Sequence, residues 1–256
     1  MKRHPPAQKN KNSNSRLIEF LDQQLPHAER GVSIDRRGQD GLITNDEIDN
    51  YDDEYTSPDW QPPPLPPTVT INTNPTVQPP AGFKIKFSSY ASDAARTQFN
   101  KDFYATKTLL DADGIGNILN ENIDFDYNLT YGAAGLYWFP PRDYIQISVD
   151  LGAYHNGSYQ FVLIHELGHR FQFMCGNSVA RGSTNGLNLH QAVDAMYYHA
   201  MNNDHSLFPT QYSTTDSFEF WADSFAYYYL GLLSSSSPLY IWIDACIAEY
   251  KNGCRF

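Results

Sequence analysis

The sequence predicts an α+β fold behind a small helical N-terminal module, and three observations carry that reading. Residues 81–149 hold short stretches with the period-two alternation of strands, interrupted by one helical stripe. From residue 158 onward the apolar side chains recur at helical spacing, with polar loops between the helical stretches. Residues 58–80 contain nine prolines, including Pro62-Pro63-Pro64-Leu65-Pro66-Pro67. Proline fixes φ and removes a backbone donor, so this run reads as an extended spacer separating the two parts.

The N-terminal part divides further. Residues 1–15 are polar and are expected to form a disordered tail. In residues 16–57, Ser15 can cap a helix carrying Leu17, Ile18, Phe20, Leu21 and Leu25, and a loop like that of an EF-hand follows. With Gly41 at the sharp turn, Ile43 is the buried aliphatic and Glu47 the closing carboxylate. Arg36 and Gly38 then stand where oxygen ligands are required. The expectation is therefore a degenerate helix-loop-helix, with Ca²⁺ at 35–47 as the lesser alternative. From Asp40 to Asp59 there are eight carboxylates and no Lys or Arg, the pattern of a solvated acidic run, with a docking arm as its rival.

The larger, C-terminal part spans residues 81–256. Phe83–Phe87 reads as a strand, and a helix capped by Ser92 or Asp93 places Phe99, Phe103, Thr106 and Leu110 on one stripe until Gly114 and Gly116 end it. Strands are expected at 122–129, 132–139 and 144–149, with Pro140-Pro141 breaking the chain between the last two. Helices are expected at 158–174, 189–202, 217–233 and from Pro238 to Tyr250. This order fits several α+β folds.

The helix at 158–174 contains His165-Glu166-Leu167-Gly168-His169. Residues four apart share a helix face, so both imidazoles can reach one Zn²⁺, with Glu166 beside them where it can meet a water at the open metal position. A catalytic zinc needs a third protein ligand. Glu219 and Asp223, also four apart on a helix, supply the candidates: one carboxylate can ligate while the other accepts the outer N–H of a ligating histidine. The rival reading makes Glu219 the capping-box partner of Asp216. His190, His199 and His205 read as surface or core residues, His155 as a loop residue and Cys175 as packing.

The pairing of this motif with Glu219 and Asp223 resembles the gluzincins. The run Glu219-Phe-Trp-Ala-Asp-Ser-Phe225 is close to the Glu-Phe-Phe-Ala-Glu-x-Phe pattern of the anthrax lethal factor-like and Mlc-titration-factor-like peptidases. Those families also place a tyrosine seven residues before the glutamate ligand, where Tyr212 stands in this chain. Asp223 departs from the pattern, since many relatives carry Glu there. The resemblance covers about residues 81–232 and is specific at the two short runs.

It implies a zincin-like catalytic domain, with a mixed sheet and the active-site helix in its upper half and a helical lower half. It also implies one zinc ion on His165, His169 and Glu219, with Glu166 as general base and the Tyr212 hydroxyl facing the oxyanion. The strand around Gly135, Leu136 and Tyr137 is expected at the sheet edge, where an extended peptide could pair with it. The alternative is a zincin-like domain that binds a protein partner without cleaving it.

Composition bounds the rest. A net charge of −11 argues against a nucleic-acid binder, and the expected partner is a protein or peptide substrate. No apolar stretch is long enough to span a membrane and no apolar run follows the basic start, so a cytoplasmic protein, or one exported by a route the sequence does not display, is expected. Three cysteines make no framework. Cys246 and Cys254 could pair across the last turn, or all three could stay reduced.

Overall fold

The computed structural model describes residues 76–119, 122–125, 133–149, 158–176 and 187–253. The tail, the helix-loop-helix with its Ca²⁺ alternative, and the linker up to residue 75 lie outside the described residues. Within them the fold is α+β, with a mixed four-stranded sheet and five α-helices. By its contacts the chain forms two compact units, and the division falls between Arg170 and Phe171, inside one unbroken helix.

The first unit holds the sheet. Strand β1 (Lys84–Phe87) leads into α1 (Asp93–Ala112), and β2 (Asn122–Phe125) then pairs parallel to β1. Parallel pairing requires such a crossover. Strand β3 (Gly135–Trp138) and β4 (Tyr144–Ile147) form an antiparallel pair, and β4 lies parallel to β2. The sheet order is therefore β1-β2-β4-β3, which leaves β3 at an edge. In the β3–β4 register, Gly135 faces Ile147 and Tyr137 faces Ile145.

The expected stripe of α1 is buried, and Phe99 stacks on Phe125 of β2 at 4.1 Å between ring centroids. Ser92 caps the helix by accepting from the Ala95 amide at 3.2 Å. Gly114 takes φ +73°, and the Ile115 and Gly114 amides donate back to the carbonyls of Leu110 and Asp111. That is the paired closure a glycine just past a helix permits. Strands β3 and β4 are shorter than the 132–139 and 144–149 expected, and β2 ends at Phe125 with residues 126–129 outside the described set.

Helix α2 (Tyr159–Cys175) carries the histidine motif. Ser158 accepts from the Phe161 amide at 3.2 Å, and the Tyr159 hydroxyl donates to the Val149 carbonyl at 2.7 Å. Leu163, Ile164, Leu167 and Phe171 are fully buried, so α2 is a core helix.

The second unit is helical, with α3 (Leu189–Asn203), α4 (Ser217–Tyr229) and α5 (Pro238–Tyr250). A capping box closes the start of α3, where Asn188 and Gln191 bond each other's amides. Trp221 and Trp242 meet edge to face at 5.7 Å, and Phe171 stacks on Trp221 at 5.8 Å. Helix α4 stops at Tyr229, short of the expected Leu233. Gly231 adopts φ +66°, and the Leu232 and Gly231 amides return to the carbonyls of Tyr227 and Tyr228. Glycine in the left-handed region ends the helix before its apolar pattern runs out.

The cysteines depart from both expectations. Cys175, the last residue of α2, is disulfide-bonded. Cys246 is a free thiol, so it forms no bridge with Cys254. Cys246 lies fully buried within α5, and that burial pushes its thiol pKa well above the usual range. Among the described residues no helix is long and apolar enough to cross a membrane.

Candidate metal centre

His165 and His169 stand one turn apart on α2, and their Nε2 atoms approach to 3.1 Å. The rings meet edge to face at 4.8 Å between centroids, with Phe161 stacked on His165 from the preceding turn. His165 and Glu166 are buried and His169 is half-buried. Glu219 sits in the first turn of α4, where Asp216 caps the helix by accepting from the Glu219 amide at 2.9 Å. A carboxylate in the first turn is favoured by the amides exposed there. Ligand atoms of His165, His169 and Glu219 all lie within 4.8 Å of one another. The capping role expected of Asp216 is therefore present, and the Glu219 carboxylate is nonetheless brought to the histidines.

Does this set fit a zinc ion? Two nitrogens each ~2.0–2.1 Å from one tetrahedral zinc stand roughly 3.3 Å apart. The 3.1 Å between the two Nε2 atoms is close to that. It is also the length of an ordinary hydrogen bond between two rings, so the pair alone does not discriminate. The Glu219 carboxylate makes a third donor, and two imidazoles with a carboxylate could hold a divalent metal ion such as zinc.

Glu166 has strand β3 against it. A Cβ placed on Gly135 would stand 2.5 Å from Glu166 Oε1 and 2.6 Å from Val162 Cγ1. The backbone of the edge strand thus lies directly on the Glu166 carboxylate, and only glycine leaves room there. Gly135→Ala is expected to cost about 1–3 kcal/mol through overpacking, read as a lowered thermal unfolding midpoint. An unchanged midpoint would mean that Glu166 and Val162 step aside freely. Of its neighbours on β3, Leu136 is half-buried, and Tyr137 is buried with its hydroxyl donating to Asp143 at 2.8 Å.

Asp223 lies fully buried on α4 and receives the Thr210 hydroxyl among its partners. Tyr212 lies on the short 3₁₀ turn Tyr212–Thr214 just before α4 and is 50% exposed. The other histidines among the described residues are His190, His199 and His205. His190 begins α3, where burial lowers its pKa and Asp194 opposes the shift. A Cβ on Gly176 would stand 2.0 Å from the His190 Nε2, so the ring is packed against that backbone. His199 and His205 are not in the donor set, and His155 lies outside the described residues.

Two features had no signal in the sequence. Arg170, directly after His169, grips Asp143 through Nε at 3.0 Å and Nη2 at 2.9 Å, and its Nη1 donates to the Ile118 carbonyl at 3.3 Å. Thr210 joins the turn before α4 to Asp223. Compared with known proteins, the chain matches no family model, no curated protein and no solved structure.

Proposed function

We propose that the chain is a zinc-dependent peptidase of gluzincin type, most simply an endopeptidase with a zincin-like catalytic domain. The observation that carries this is the meeting of His165, His169 and Glu219, residues from two separate motifs more than forty positions apart. A zinc ion held there would supply a Lewis acid and a water acidified towards neutrality.

The chain's own residues do the rest. Glu166, next to His165 and walled by β3, takes the proton of the attacking water and passes it to the leaving amine. The Tyr212 hydroxyl donates to the oxygen of the scissile carbonyl as charge develops on it. Asp223 is the carboxylate that would orient a ligating histidine. Strand β3, with one edge unpaired among the described residues, offers main-chain groups to an extended peptide, and Gly135 sets that peptide's backbone near Glu166.

The test is metal content. The purified chain should carry about one zinc, as three protein ligands and an open position require. Glu219→Ala should weaken binding by at least about 100-fold, more than the loss of an orienting partner alone. Full zinc retention in Glu219→Ala would remove Glu219 from the site. Zinc-loaded protein inert towards unfolded casein would favour a partner-binding zincin-like domain instead.

A further inference from the structure

The turn that carries Tyr212 is fastened to α4 by the Thr210 side chain. Thr210 Oγ1 donates to Asp223 Oδ2 and accepts from the Ser213 amide at 3.0 Å. Ser213 answers in kind: its Oγ donates to the Thr210 carbonyl at 2.6 Å and accepts from the Thr210 amide at 3.3 Å. A hydroxyl has one proton to donate, and Thr210 spends it on the carboxylate while its lone pair takes the amide. Residues 210–213 are thereby closed into a loop whose anchor is Asp223.

The two ends of this fastening differ from its middle. Asp223 and Ser213 are fully buried, whereas Tyr212, between Thr210 and Ser213, is 50% exposed. The Thr214 and Thr215 amides donate to the Gln211 and Tyr212 carbonyls at 3.1 and 3.0 Å, and the Tyr197 hydroxyl donates to the Thr214 carbonyl at 2.8 Å. The backbone on both sides of Tyr212 is therefore held by hydrogen bonds. A buried carboxylate needs its hydrogen bonds, so the anchor resists being pulled away.

We propose that Thr210 is a positioning residue for Tyr212, locking the Tyr212 turn onto the Asp223 carboxylate. What Tyr212 does once positioned rests on the peptidase reading; the locking itself does not. Thr210→Val keeps the shape and deletes both hydroxyl bonds, and Thr210→Ser restores them.

Hydrogen exchange of the amides in 211–215, measured on the zinc-free full chain, should quicken by at least about tenfold in Thr210→Val, the worth of one such net hydrogen bond. In Thr210→Ser it should stay near wild type. With zinc restored, Thr210→Val should lower kcat about tenfold at unchanged zinc content, part of what a lost oxyanion donor costs. In a Tyr212→Phe background that kcat effect should vanish, since coupled residues are not additive.

Unchanged exchange in Thr210→Val, or equal exchange in the Val and Ser variants, overturns the locking. An undiminished kcat effect of Thr210→Val in the Tyr212→Phe background overturns the positioning role. If the valine variant does not fold, Thr210→Ala tested against Thr210→Ser decides the same points. Wild-type protein that binds zinc yet cleaves nothing sinks the peptidase reading, and the exchange measurement still decides the locking by itself.

Discussion

Glu166→Gln should lower kcat for peptide hydrolysis by about 10²–10⁴-fold while zinc content and unfolding midpoint stay at the wild-type level. The glutamine amide has the shape of the carboxylate but no basic oxygen, so it cannot take a proton from the attacking water. The isosteric change also suits the site's packing. Glu166 is 4% exposed, and the Gly135 backbone is close enough that a Cβ there would stand 2.5 Å from Oε1. A larger or branched side chain would disturb β3 and confuse lost chemistry with lost fold. Casein hydrolysis by the two zinc-loaded proteins, with melting curves in parallel, provides the measurement. Equal rates would remove Glu166 from the proton transfer, and loss of zinc in the variant would mean that Glu166 belongs to the ligand set.

The features legible in the sequence are those written in local periodicity. His165 and His169 share a face because a helix repeats every 3.6 residues, and Leu163, Ile164, Leu167 and Phe171 mark α2 with the same spacing. The same holds for Glu219 and Asp223 on α4, whose start is marked by the Asp216 cap. Two glycines illustrate the limit of pattern reading. Gly114 was expected to end its helix and does, whereas Gly231 ends α4 four residues before its expected close at Leu233. Apolar spacing continues past Gly231, but the left-handed turn there captures the orphan carbonyls first.

Features that depend on contacts between distant segments were not legible. The Arg170–Asp143 pair joins residues 27 positions apart, and nothing around either residue announces the other. Thr210 and Asp223 are 13 apart across a turn that has no repeating pattern. The cysteines fall in the same class, since pairing depends on which sulfurs the fold brings together. The sheet order β1-β2-β4-β3 is a partial exception. The alternating strands could be read one by one, with Pro140-Pro141 as the break between the last two, but their antiparallel pairing and their order could not. The insertion of β4 between β2 and β3 is what puts Gly135 on an edge strand, beside Glu166.

Asp143→Ala is expected to be the most destabilising single substitution among the residues around α2, costing about 3–5 kcal/mol. The Arg170 side chain is 3% exposed, and that of Asp143 is 28% exposed. Removing the carboxylate takes the opposite charge from a buried guanidinium and one acceptor from the Tyr137 hydroxyl. The reverse deletion, Arg170→Met, leaves a carboxylate that can turn to solvent and fills the space of the arginine stem, so about 1–2 kcal/mol should be lost. Asp143 also sits at φ +42°, a region alanine tolerates poorly and asparagine well, so Asp143→Asn separates charge from backbone strain. Its loss should fall between the other two. Each kcal/mol should shift the unfolding midpoint by about 2–4 °C in a chain of this size. The order Asp143→Ala, Asp143→Asn, Arg170→Met is the content of the prediction, and urea unfolding of the three variants measures it. If Arg170→Met proves as costly as Asp143→Ala, the arginine is held by its bond to the Ile118 carbonyl and its stem packing rather than by the carboxylate. The turn between β3 and β4 would then be fixed to α2 through residue 118 and not through residue 143.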